Sequence, residues 1–408
     1  MKKILHILSQ RPEKTGSGIF LQNIFKEAAK KDYKQAAVAG VPKNLERVDL
    51  GVIDKEDFYP VKFETERIPF AVVGMSNVMP YKSERYMDLT DEMLKKWKLG
   101  FKEQITKAIE EFKPDLILSH HLWILTSFLQ EFITDIPIKA ICHGTGLRQL
   151  KQTERFADYV TAGCRKADTI FALHDQQKEK ISQLYEIDPE KIIVIGSGYD
   201  SDIFYTPNNN YIDDLIRIVY AGKLSYSKGI KSLIRAYNKL NFARDKLELV
   251  LVGNGSGKEV EEIKRMAQNS RFKVSLTGAV PQAKVGDIFR QADIFCLPSF
   301  YEGLPLVLIE ALASGLRVVT TNLQGVKEWI GNKINNSGAI EYVKLPSLKE
   351  PGVPIEDDLV EFEMRLQKAL EKQINNLEAD DYLENQDLIK AIKRMSWTGV
   401  LERMEEHF

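Results

Sequence analysis

Residues 298–315 read PSFYEGLPLVLIEALASG, and this stretch decides the fold prediction. It follows the apolar run Ile294–Leu297, which is typical of a buried strand. A proline and a loop of small residues then lead into a predicted helix. Glu302 lies on that loop, and Glu310 lies about two turns into the helix. Ligands of open α/β sheets bind in the crevice at the carboxyl ends of the strands, so the stretch predicts a binding site.

Backbone groups around this turn suit a ligand. Gly303 lets the backbone approach a ligand closely, and Pro305 suits a first helical turn because an N–H group is not needed there. We expect the free N–H groups of the turn to bind an anion or a sugar hydroxyl, and they belong to Gly303, Leu304, Leu306 and Val307. In the alternative interpretation, Glu302 only complements the helix dipole and Glu310 is an exposed helix position.

Bulk composition excludes several classes of protein. The chain has 408 residues, enough for two domains, and 44% of them are hydrophobic. Lys and Arg number 57 against 58 Asp and Glu, which argues against a nucleic-acid partner. Three separated cysteines give neither a disulfide framework nor a zinc spacing, so we expect a reducing, cytoplasmic setting. The N-terminal apolar run is too short for a signal peptide, and no window is apolar enough to span a membrane.

Short apolar runs alternate with helical patterns along the whole chain. This order is typical of an α/β protein with parallel sheets and crossover helices. Strands are predicted at residues 4–8, 36–39, 115–121 and 138–142 in the first half, and at 218–222, 247–252, 294–297 and 317–320 in the second. Residues 91–111 have the apolar spacing of a helix, whereas prolines break up residues 43–90. The polar stretch 200–214 is predicted to be the linker.

The opening stretch also resembles the Glu-x7-Glu signature of the retaining glycosyltransferases of family 4. The match runs through Pro298, Ser299, Glu302, Gly303, Pro305, Glu310, Ala311, Ala313 and Gly315. The resemblance implies the GT-B fold, in which two Rossmann-like domains face each other across a central cleft. Residues 1–205 would form the acceptor domain and residues 206–389 the donor domain, with a C-terminal helix, 390–408, packing back on the first.

A second loop of the donor half carries two cations. Gly222 ends a predicted strand, and Lys223 and Lys228 follow it. Cations near a helix N-terminus suit a diphosphate leaving group, although lysines on loops are usually only solvated. The segment resembles the family's loop that holds the donor pyrophosphate, with Lys223 where many relatives have arginine. A lysine there keeps the point charge and loses the bidentate geometry.

Other glycine turns are weaker signals. Gly16, Ser17 and Gly18 follow the first strand, and the resemblance makes them the loop that approaches the donor phosphates. Gly253 and Asn254 would lie near the nucleotide, and Val280 is as compatible with packing as with contact to the base. A dinucleotide oxidoreductase would need the full Gly-x-Gly-x-x-Gly pattern, which this loop lacks.

Histidines end two predicted strands of the first half. The resemblance places His143 beside the transferred sugar, whereas a histidine satisfied by local hydrogen bonds is the ordinary alternative. His120 and His121 are adjacent in a strand, so we expect one of them to point toward the ligand and the other into the core. We expect the histidine that points toward the ligand, together with Arg148, to contact the acceptor.

The resemblance implies a metal-independent retaining hexosyltransferase with a nucleotide-diphosphate sugar as co-substrate and no cofactor. UDP-sugars are favoured over GDP-sugars. The acceptor would be a glycan, a lipid-linked molecule or a small molecule, and a lipid-linked acceptor would bring the protein to the inner face of the membrane. The alternatives are a nucleotide-sugar 2-epimerase of the same fold and a non-catalytic partner that binds sugar nucleotides.

Overall fold

The computed structural model describes residues 2–13, 15–45, 48, 50, 52–207, 214–377 and 385–408. The chain divides into two compact units. Unit 1 consists of Met1–Ser197 and Trp397–Phe408, and unit 2 of Gly198–Ser396. This division falls ahead of the predicted boundary at residue 205, because Phe204 is already buried in the core of unit 2. The middle of the predicted linker, residues 208–213, lies outside the described residues.

Unit 1 is built around parallel strands. They are β1 (Lys3–Leu8), β2 (Lys34–Pro42), β3 (Phe58–Phe63), β4 (Val73–Gly74), β5 (Glu84–Arg85), β6 (Leu116–His120), β7 (Ile138–Ile141), β8 (Thr169–Ala172) and β9 (Ile192–Val194). Seven of them form one sheet in the order β3-β2-β1-β6-β7-β8-β9, and β4 pairs with β5. The central strands are buried along almost their whole length, as expected for a sheet covered on both faces.

The helices of unit 1 connect these strands. They are α1 (Gly16–Ala29), α2 (Asp91–Phe112), α3 (Ile124–Leu129), α4 (Thr145–Gln152), α5 (Ala157–Cys164) and α6 (Asp175–Tyr185). α2 buries one stripe, with Trp97, Phe101 and Ile105 at helical spacing, and exposes its charged residues. The spacing of apolar residues predicted a helix over residues 91–111, one residue short of the observed end at Phe112.

Unit 2 repeats the architecture. Its parallel sheet uses β10 (Ile216–Ala221), β11 (Leu247–Val252), β12 (Lys273–Gly278), β13 (Ile294–Leu297), β14 (Arg317–Thr321) and β15 (Ile340–Val343), and a hairpin uses β16 (Leu348–Glu350) and β17 (Val353–Pro354). The helices are α7 (Ile230–Asn238), α8 (Lys258–Gln268), α9 (Gln282–Phe289), α10 (Val307–Ala313), α11 (Val326–Ile330), α12 (Asn332–Asn335), α13 (Leu359–Asn375) and α14 (Gln386–Lys393). The sheet order is β12-β11-β10-β13-β14-β15.

Each sheet reverses its strand order at one point. In unit 1 the chain leaves β1 toward β2 on one side and returns through β6 on the other. In unit 2 the corresponding pair is β10 and β13. Connections on the two sides of such a point diverge and leave a crevice at the strands' carboxyl ends, where ligands bind. The predicted lysine loop follows β10 and the Glu302 loop follows β13, so the topology brings these two loops together.

The C-terminal helix belongs to unit 1. α15 (Trp397–Glu405) buries Val400, Leu401 and Met404, and Trp397 packs edge-on against Phe20 with a ring distance of 5.1 Å. The preceding helix, α14, belongs to unit 2. The chain therefore passes from unit 2 back to unit 1 after Ser396. This point lies within residues 390–408, which were predicted to pack on the first domain.

Two membrane- and redox-related observations complete the fold. Within the described ranges, no helix combines the length and the apolarity needed to cross a bilayer.

Cys142, Cys164 and Cys296 are unpaired and buried, and burial raises the pKa of each thiol.

We predict that Trp397→Ala destabilises unit 1 by about 3–5 kcal/mol, because it removes a buried aromatic ring and leaves a cavity beside Phe20. Hydrogen exchange with mass spectrometry should show protection lost in β1, α1 and β6 and kept in unit 2. Ile389→Ala is the control, since Ile389 is 40% exposed on α14. Equal protection in wild type and Trp397→Ala would contradict the packing of α15.

Candidate active site

Two loops of unit 2 are held together by a very short backbone approach. A Cβ atom placed on Gly229 would lie 2.0 Å from the carbonyl oxygen of Pro298, and Gly229 has a φ of 68°, a left-handed conformation. The Phe300 N–H donates to the carbonyl oxygen of Ser227 at 2.9 Å. The loop after β10 is thereby fixed against the loop after β13.

This approach brings Lys228 and Glu302 into contact. Lys228 Nζ lies 2.7 Å from Glu302 Oε2, and the two side chains are 23% and 18% exposed. Ser299 Oγ donates to the other carboxylate oxygen at 2.7 Å, and Lys228 Nζ also donates to the carbonyl oxygen of Tyr301 at 3.2 Å. The carboxylate is therefore oriented from two sides and still borders solvent. A carboxylate placed this way can accept from hydroxyl groups, and the ammonium can meet an anion.

Glu310 lies in a different environment. Its carboxylate accepts a hydrogen bond from Gln282 Nε2 at 3.1 Å. Burial raises the pKa of Glu310 to about 7. The hydrogen bond from Gln282 lowers this pKa, but its effect is smaller than that of burial. Glu310 is not the solvated helix position of the alternative interpretation. It has no cation beside it that the structure describes, so its carboxylate suits neutral donors such as hydroxyl groups.

The strand ends next to this pair are joined by backbone bonds. The Gly222 N–H donates to the Val252 carbonyl, and the Leu224 N–H donates to the Asn254 carbonyl, both at 2.9 Å. A Cβ on Gly253 would lie 1.9 Å from the Gly222 carbonyl oxygen, so position 253 needs a glycine. Lys223 is exposed and makes no ion pair with any residue that the structure describes.

The turn before α10 differs from its prediction. The helix starts at Val307, so Pro305 precedes it, and the Leu306 N–H donates to the Leu304 carbonyl at 2.9 Å instead of being free. The Pro305 carbonyl accepts from the Leu308 N–H at 3.0 Å, so Pro305 opens this turn, where its missing N–H is not needed. A Cβ on Gly303 would meet no atom within 4 Å, so the approach to Gly303 is open. Val280, predicted near the base, packs against the core of unit 2.

Unit 1 gathers four histidines at its own point of strand reversal. His120 Nδ1 lies 3.1 Å from His143 Nε2, and the two rings stack with an angle of 6°. His120 Nε2 lies 3.5 Å from His6 Nδ1, and His121 Nδ1 lies 2.9 Å from Thr145 Oγ1. Burial lowers the pKa of all four rings, to about 3 for His6 and His143. These side chains are therefore neutral hydrogen-bonding groups near pH 7.

Strand alternation does not separate His120 from His121 as expected. Both are buried. The reason is that β6 ends at His120, and His121 adopts a φ of 76°, outside the strand region, where the alternation rule no longer applies. Arg148 is exposed and donates to Ser76 Oγ at 2.9 Å.

The predicted glycine loop of unit 1 is the first turn of a helix. α1 begins at Gly16, and Thr15 caps it by accepting from the Gly18 N–H at 3.1 Å. Gln10 Nε2 donates to Ser17 Oγ at 2.8 Å, and Gln10 Oε1 accepts from the Met75 N–H at 3.0 Å. Thr15 thus has a capping role that was not predicted from the sequence.

Sequence reasoning missed several polar partners of the site. Gln282, Ser299 and His6 each contact a predicted residue, yet only Ser299 lay inside a quoted motif. Gln282 opens α9 directly after Val280 and Pro281, which was the available signal. Among the described residues, no group of three or more His, Cys, Asp or Glu side chains is arranged to hold a metal ion.

Family models match both halves of the chain. Residues 83–203 match the model of glycosyltransferase family 4, and residues 205–344 match that of glycosyl transferases group 1. An uncharacterised glycosyltransferase of Methanocaldococcus jannaschii is 30% identical over 180 residues, which are 41% of this chain and 45% of that protein. The phosphatidylinositol N-acetylglucosaminyltransferase GPI3 subunit of Saccharomyces cerevisiae is 28% identical over 175 residues, 41% of this chain and 38% of that protein. The matches thus span less than half the length of these relatives.

Solved structures show the same fold. HepE of Anabaena, crystallised with UDP, has a TM-score of 0.60 and 14% identity, with 100% of this chain and 99% of that chain covered. The likeness shows that the chain has the GT-B fold, with two Rossmann-like α/β domains. The family matches and the fold together support a glycosyltransferase of GT-B type.

We predict that Gly229→Ala destabilises unit 2 by more than about 2 kcal/mol, because the new methyl group collides with the Pro298 carbonyl and the left-handed φ is strained. Urea unfolding of the two variants would measure the change. Gly303→Ala is the matched control, since its methyl group enters open space and should change stability by less than about 1 kcal/mol. A Gly229→Ala protein as stable as the control would contradict the close approach.

Proposed function

We propose that this chain is a retaining glycosyltransferase that takes a hexose-type sugar from a nucleotide-diphosphate sugar, with a UDP-sugar favoured, and moves it to an acceptor hydroxyl. The observation that carries the proposal is the contact of Lys228 with Glu302 at the point of strand reversal in unit 2. Both residues belong to motifs that resemble the donor site of family 4, and the second motif lies within the segment matched by the group 1 model.

The ion pair suits an exchange of partners on donor binding. Without a ligand, each charge of the Lys228–Glu302 pair neutralises the other. A bound donor would offer a diphosphate to Lys228 and sugar hydroxyls to Glu302. The two side chains still border solvent, so a donor can reach both charges. The donor's own contacts would then replace the contact that is lost.

Glu310 is proposed to bind the ribose. Its carboxylate is largely desolvated and already accepts one neutral donor, from Gln282. Two neighbouring ribose hydroxyls would add donors to the charged form and lower its pKa. This assignment makes Glu310 a binding residue and leaves no role for it as a nucleophile.

The departing diphosphate is proposed to be stabilised by cations of the protein. Lys228 is held near the Glu302 loop, and the exposed Lys223 follows the fixed Gly222 on the same segment. Positive charge placed where negative charge develops lowers the barrier to leaving-group departure. In the front-face displacement that the family implies, the bond from the anomeric carbon to the diphosphate breaks while the acceptor oxygen bonds to that carbon, and the leaving phosphate oxygen takes the acceptor's proton. The two lysines would take the place of a metal ion at the diphosphate.

The acceptor side of the proposal involves unit 1. His143 would contact the transferred sugar, as the family resemblance implies, and Arg148 lies exposed in the first turn of α4, which follows His143 in the chain. The yeast relative's name specifies a phosphatidylinositol acceptor, which makes a lipid-linked acceptor a candidate here. A reducing, cytoplasmic setting forms part of the proposal because the three cysteines are unpaired and buried.

A panel of UDP-, GDP- and ADP-sugars in a thermal shift assay tests donor binding. A bound donor stabilises the folded protein by mass action, so we expect the largest rise in Tm with a UDP-sugar. Hydrolysis of that sugar nucleotide, and transfer to candidate acceptors, then report turnover. No shift with any sugar nucleotide would overturn the proposal. Release of an epimerised sugar nucleotide would identify an epimerase, and binding with no turnover a non-catalytic partner.

We predict that Lys228→Ala and Glu302→Ala each lower kcat/KM for the UDP-sugar at least about 100-fold, or about 3 kcal/mol, because each removes an interaction with the reacting part of the donor. The control is Lys231→Ala, which breaks an ion pair with Glu262 of 2.8 Å, close to the length of the Lys228–Glu302 contact. Its kcat/KM should stay within about threefold of wild type, since surface ion pairs contribute little. Near-normal turnover of both alanine variants would refute the assignments.

Binding of UDP-glucose should depend on pH through Glu310. The ligand-free carboxyl has a pKa of about 7, and a ligand that hydrogen-bonds the carboxylate must displace its proton at lower pH. We expect Kd to fall as pH rises from about 5.5 to 7, by up to about tenfold per unit, and to level off above 7. Calorimetric titration across this range measures it.

Glu310→Gln is the control for this pH dependence. Its Kd should be higher above pH 7 and nearly independent of pH. The free protein offers a second readout: with the pKa raised from 4.5 to about 7, the native state holds more protons than the unfolded state in that window. Wild type should therefore lose stability relative to Glu310→Gln as pH rises from 4.5 to 7. The same slope of Kd in both proteins would exclude Glu310 as the group responsible.

A further inference from the structure

Three histidines form a hydrogen-bonded row across the sheet of unit 1. His6 lies on β1, His120 ends β6, and His143 follows β7. His120 is paired with Leu8 in one neighbouring strand and with Ile141 in the other, and His6 and His143 lie two residues from these partners. Side chains two residues apart in a strand share a face, so His6 and His120 leave the same face of the sheet, and the contact with His120 holds the His143 ring beside them. The contacts are His6 Nδ1 to His120 Nε2 at 3.5 Å and His120 Nδ1 to His143 Nε2 at 3.1 Å.

Such a row of neutral rings has only two proton arrangements. Burial lowers the pKa of all three rings, so each carries one N–H near pH 7. A neutral imidazole has one donor nitrogen and one acceptor nitrogen. The two contacts therefore run in the same direction. Either every Nε2 carries the proton or every Nδ1 does, and the choice at one end of the row fixes it at the other.

Gln35 makes that choice at the His6 end. It lies on β2 opposite Ile4, on the face that carries His6. Its amide Nε2 donates to the Phe25 carbonyl at 2.8 Å, and because a carbonyl can only accept, the orientation of the amide is fixed. The remaining Gln35 Oε1 and His6 Nε2 are both buried, and neither makes a hydrogen bond of 3.5 Å or less to any residue in the described part of the chain. The Gln35 side chain acts as a hydrogen-bond partner that raises the pKa of His6, as an oxygen acceptor does, although desolvation outweighs it.

We propose that Gln35, His6 and His120 are positioning residues that fix the tautomer of His143. Gln35 Oε1 accepts the proton on His6 Nε2, which leaves His6 Nδ1 to accept from His120 Nε2. His120 Nδ1 then accepts from His143 Nε2. His143 is left with an unprotonated Nδ1, which makes no hydrogen bond to any residue that the structure describes.

The tautomer decides what His143 can recognise. An unprotonated Nδ1 accepts a hydrogen bond from a hydroxyl group and repels a phosphate oxygen, which can only accept. His143 is half-buried, whereas the rings behind it are fully buried. If the proposed function holds, this nitrogen accepts from a hydroxyl of the transferred sugar, and the row keeps it ready without a charged group. This consequence rests on the proposed function, whereas the tautomer itself does not.

The ring nitrogens can be read directly by long-range ¹⁵N–¹H correlation spectra of histidine-labelled full-length protein at pH 7, because protonated and unprotonated ring nitrogens have well-separated ¹⁵N shifts. His6, His120 and His143 should each show a protonated Nε2 and an unprotonated Nδ1. Assignments come from His143→Gln and from the other single-histidine variants. His174 is an internal reference, since its Nδ1 accepts from the Gln177 N–H at 3.2 Å at the start of α6. A protonated Nδ1 on His143 in wild type would overturn the proposal without any further variant.

Gln35→Leu tests the origin of the order. It removes the acceptor for His6 Nε2, so a second set of signals, with protonated Nδ1, should appear for all three rings and make up at least about a tenth of the population. Gln149→Leu is the matched control, a buried glutamine of the same unit that donates only to the Met75 carbonyl at 3.2 Å. His174 should be unchanged in both variants.

The outcomes separate the two proposals. An unmixed His143 tautomer in a folded Gln35→Leu protein refutes the role of Gln35. Mixed tautomers in Gln35→Leu support it even where no sugar nucleotide binds, a result that would overturn the proposed function alone. Where donor turnover exists, Gln35→Leu should lower kcat by about the fraction of His143 that is in the wrong tautomer, while Gln149→Leu should not.

Discussion

No side chain fits between Gly229 and the carbonyl group of Pro298, and the donor-side geometry depends on that contact. Strand reversal brings β10 and β13 together, but adjacent strands alone leave their following loops free to diverge. The close approach at Gly229 holds the loop after β10 against the loop after β13. Because Lys228 precedes Gly229, this approach also fixes the position of Lys228 and thereby its 2.7 Å contact with Glu302. A larger residue at position 229 would push the two loops apart and so move the ammonium group of Lys228, although it would not contact that group.

The same topological rule gives the two units different chemistry. In unit 2 the reversal point carries opposite charges that border solvent, whereas in unit 1 it carries neutral rings packed against Phe20 and Phe25. Burial explains the contrast. A charged pair enclosed like His120 would lose more hydration than its mutual attraction returns, but neutral imidazoles need only hydrogen-bond partners. Unit 1 therefore holds its polar groups in place by a row of contacts, and unit 2 by an ion pair.

Sequence predicted those features that depend on period and on turn chemistry. The α/β alternation, the long helix α2 and most strands of both sheets follow from apolar spacing, and the observed strand order brings the Lys228 and Glu302 loops together. Three features did not follow. The His6–His120 contact joins residues on two strands that are far apart in sequence, and no regular spacing of histidines along the chain indicates such a contact. Gln282 reaches Glu310 from another helix. The positive φ of His121 takes this residue out of the strand conformation, and its ring and that of His120 both lie near the ring of His143.

Glu302 and Glu310 are held by opposite means, and this difference matters more than their spacing. Glu302 is held by contacts with Lys228 and Ser299, so it can accept from a ligand as soon as the cation is drawn away. Glu310 is desolvated beside a single amide donor, so a proton is the partner it holds near neutral pH. One carboxylate is stabilised by a charge that an anionic ligand can capture. The other is stabilised by a proton that a hydroxyl-bearing ligand must displace. A ligand that carries both a diphosphate and vicinal hydroxyls satisfies both conditions, whereas an anion alone or a free sugar satisfies only one.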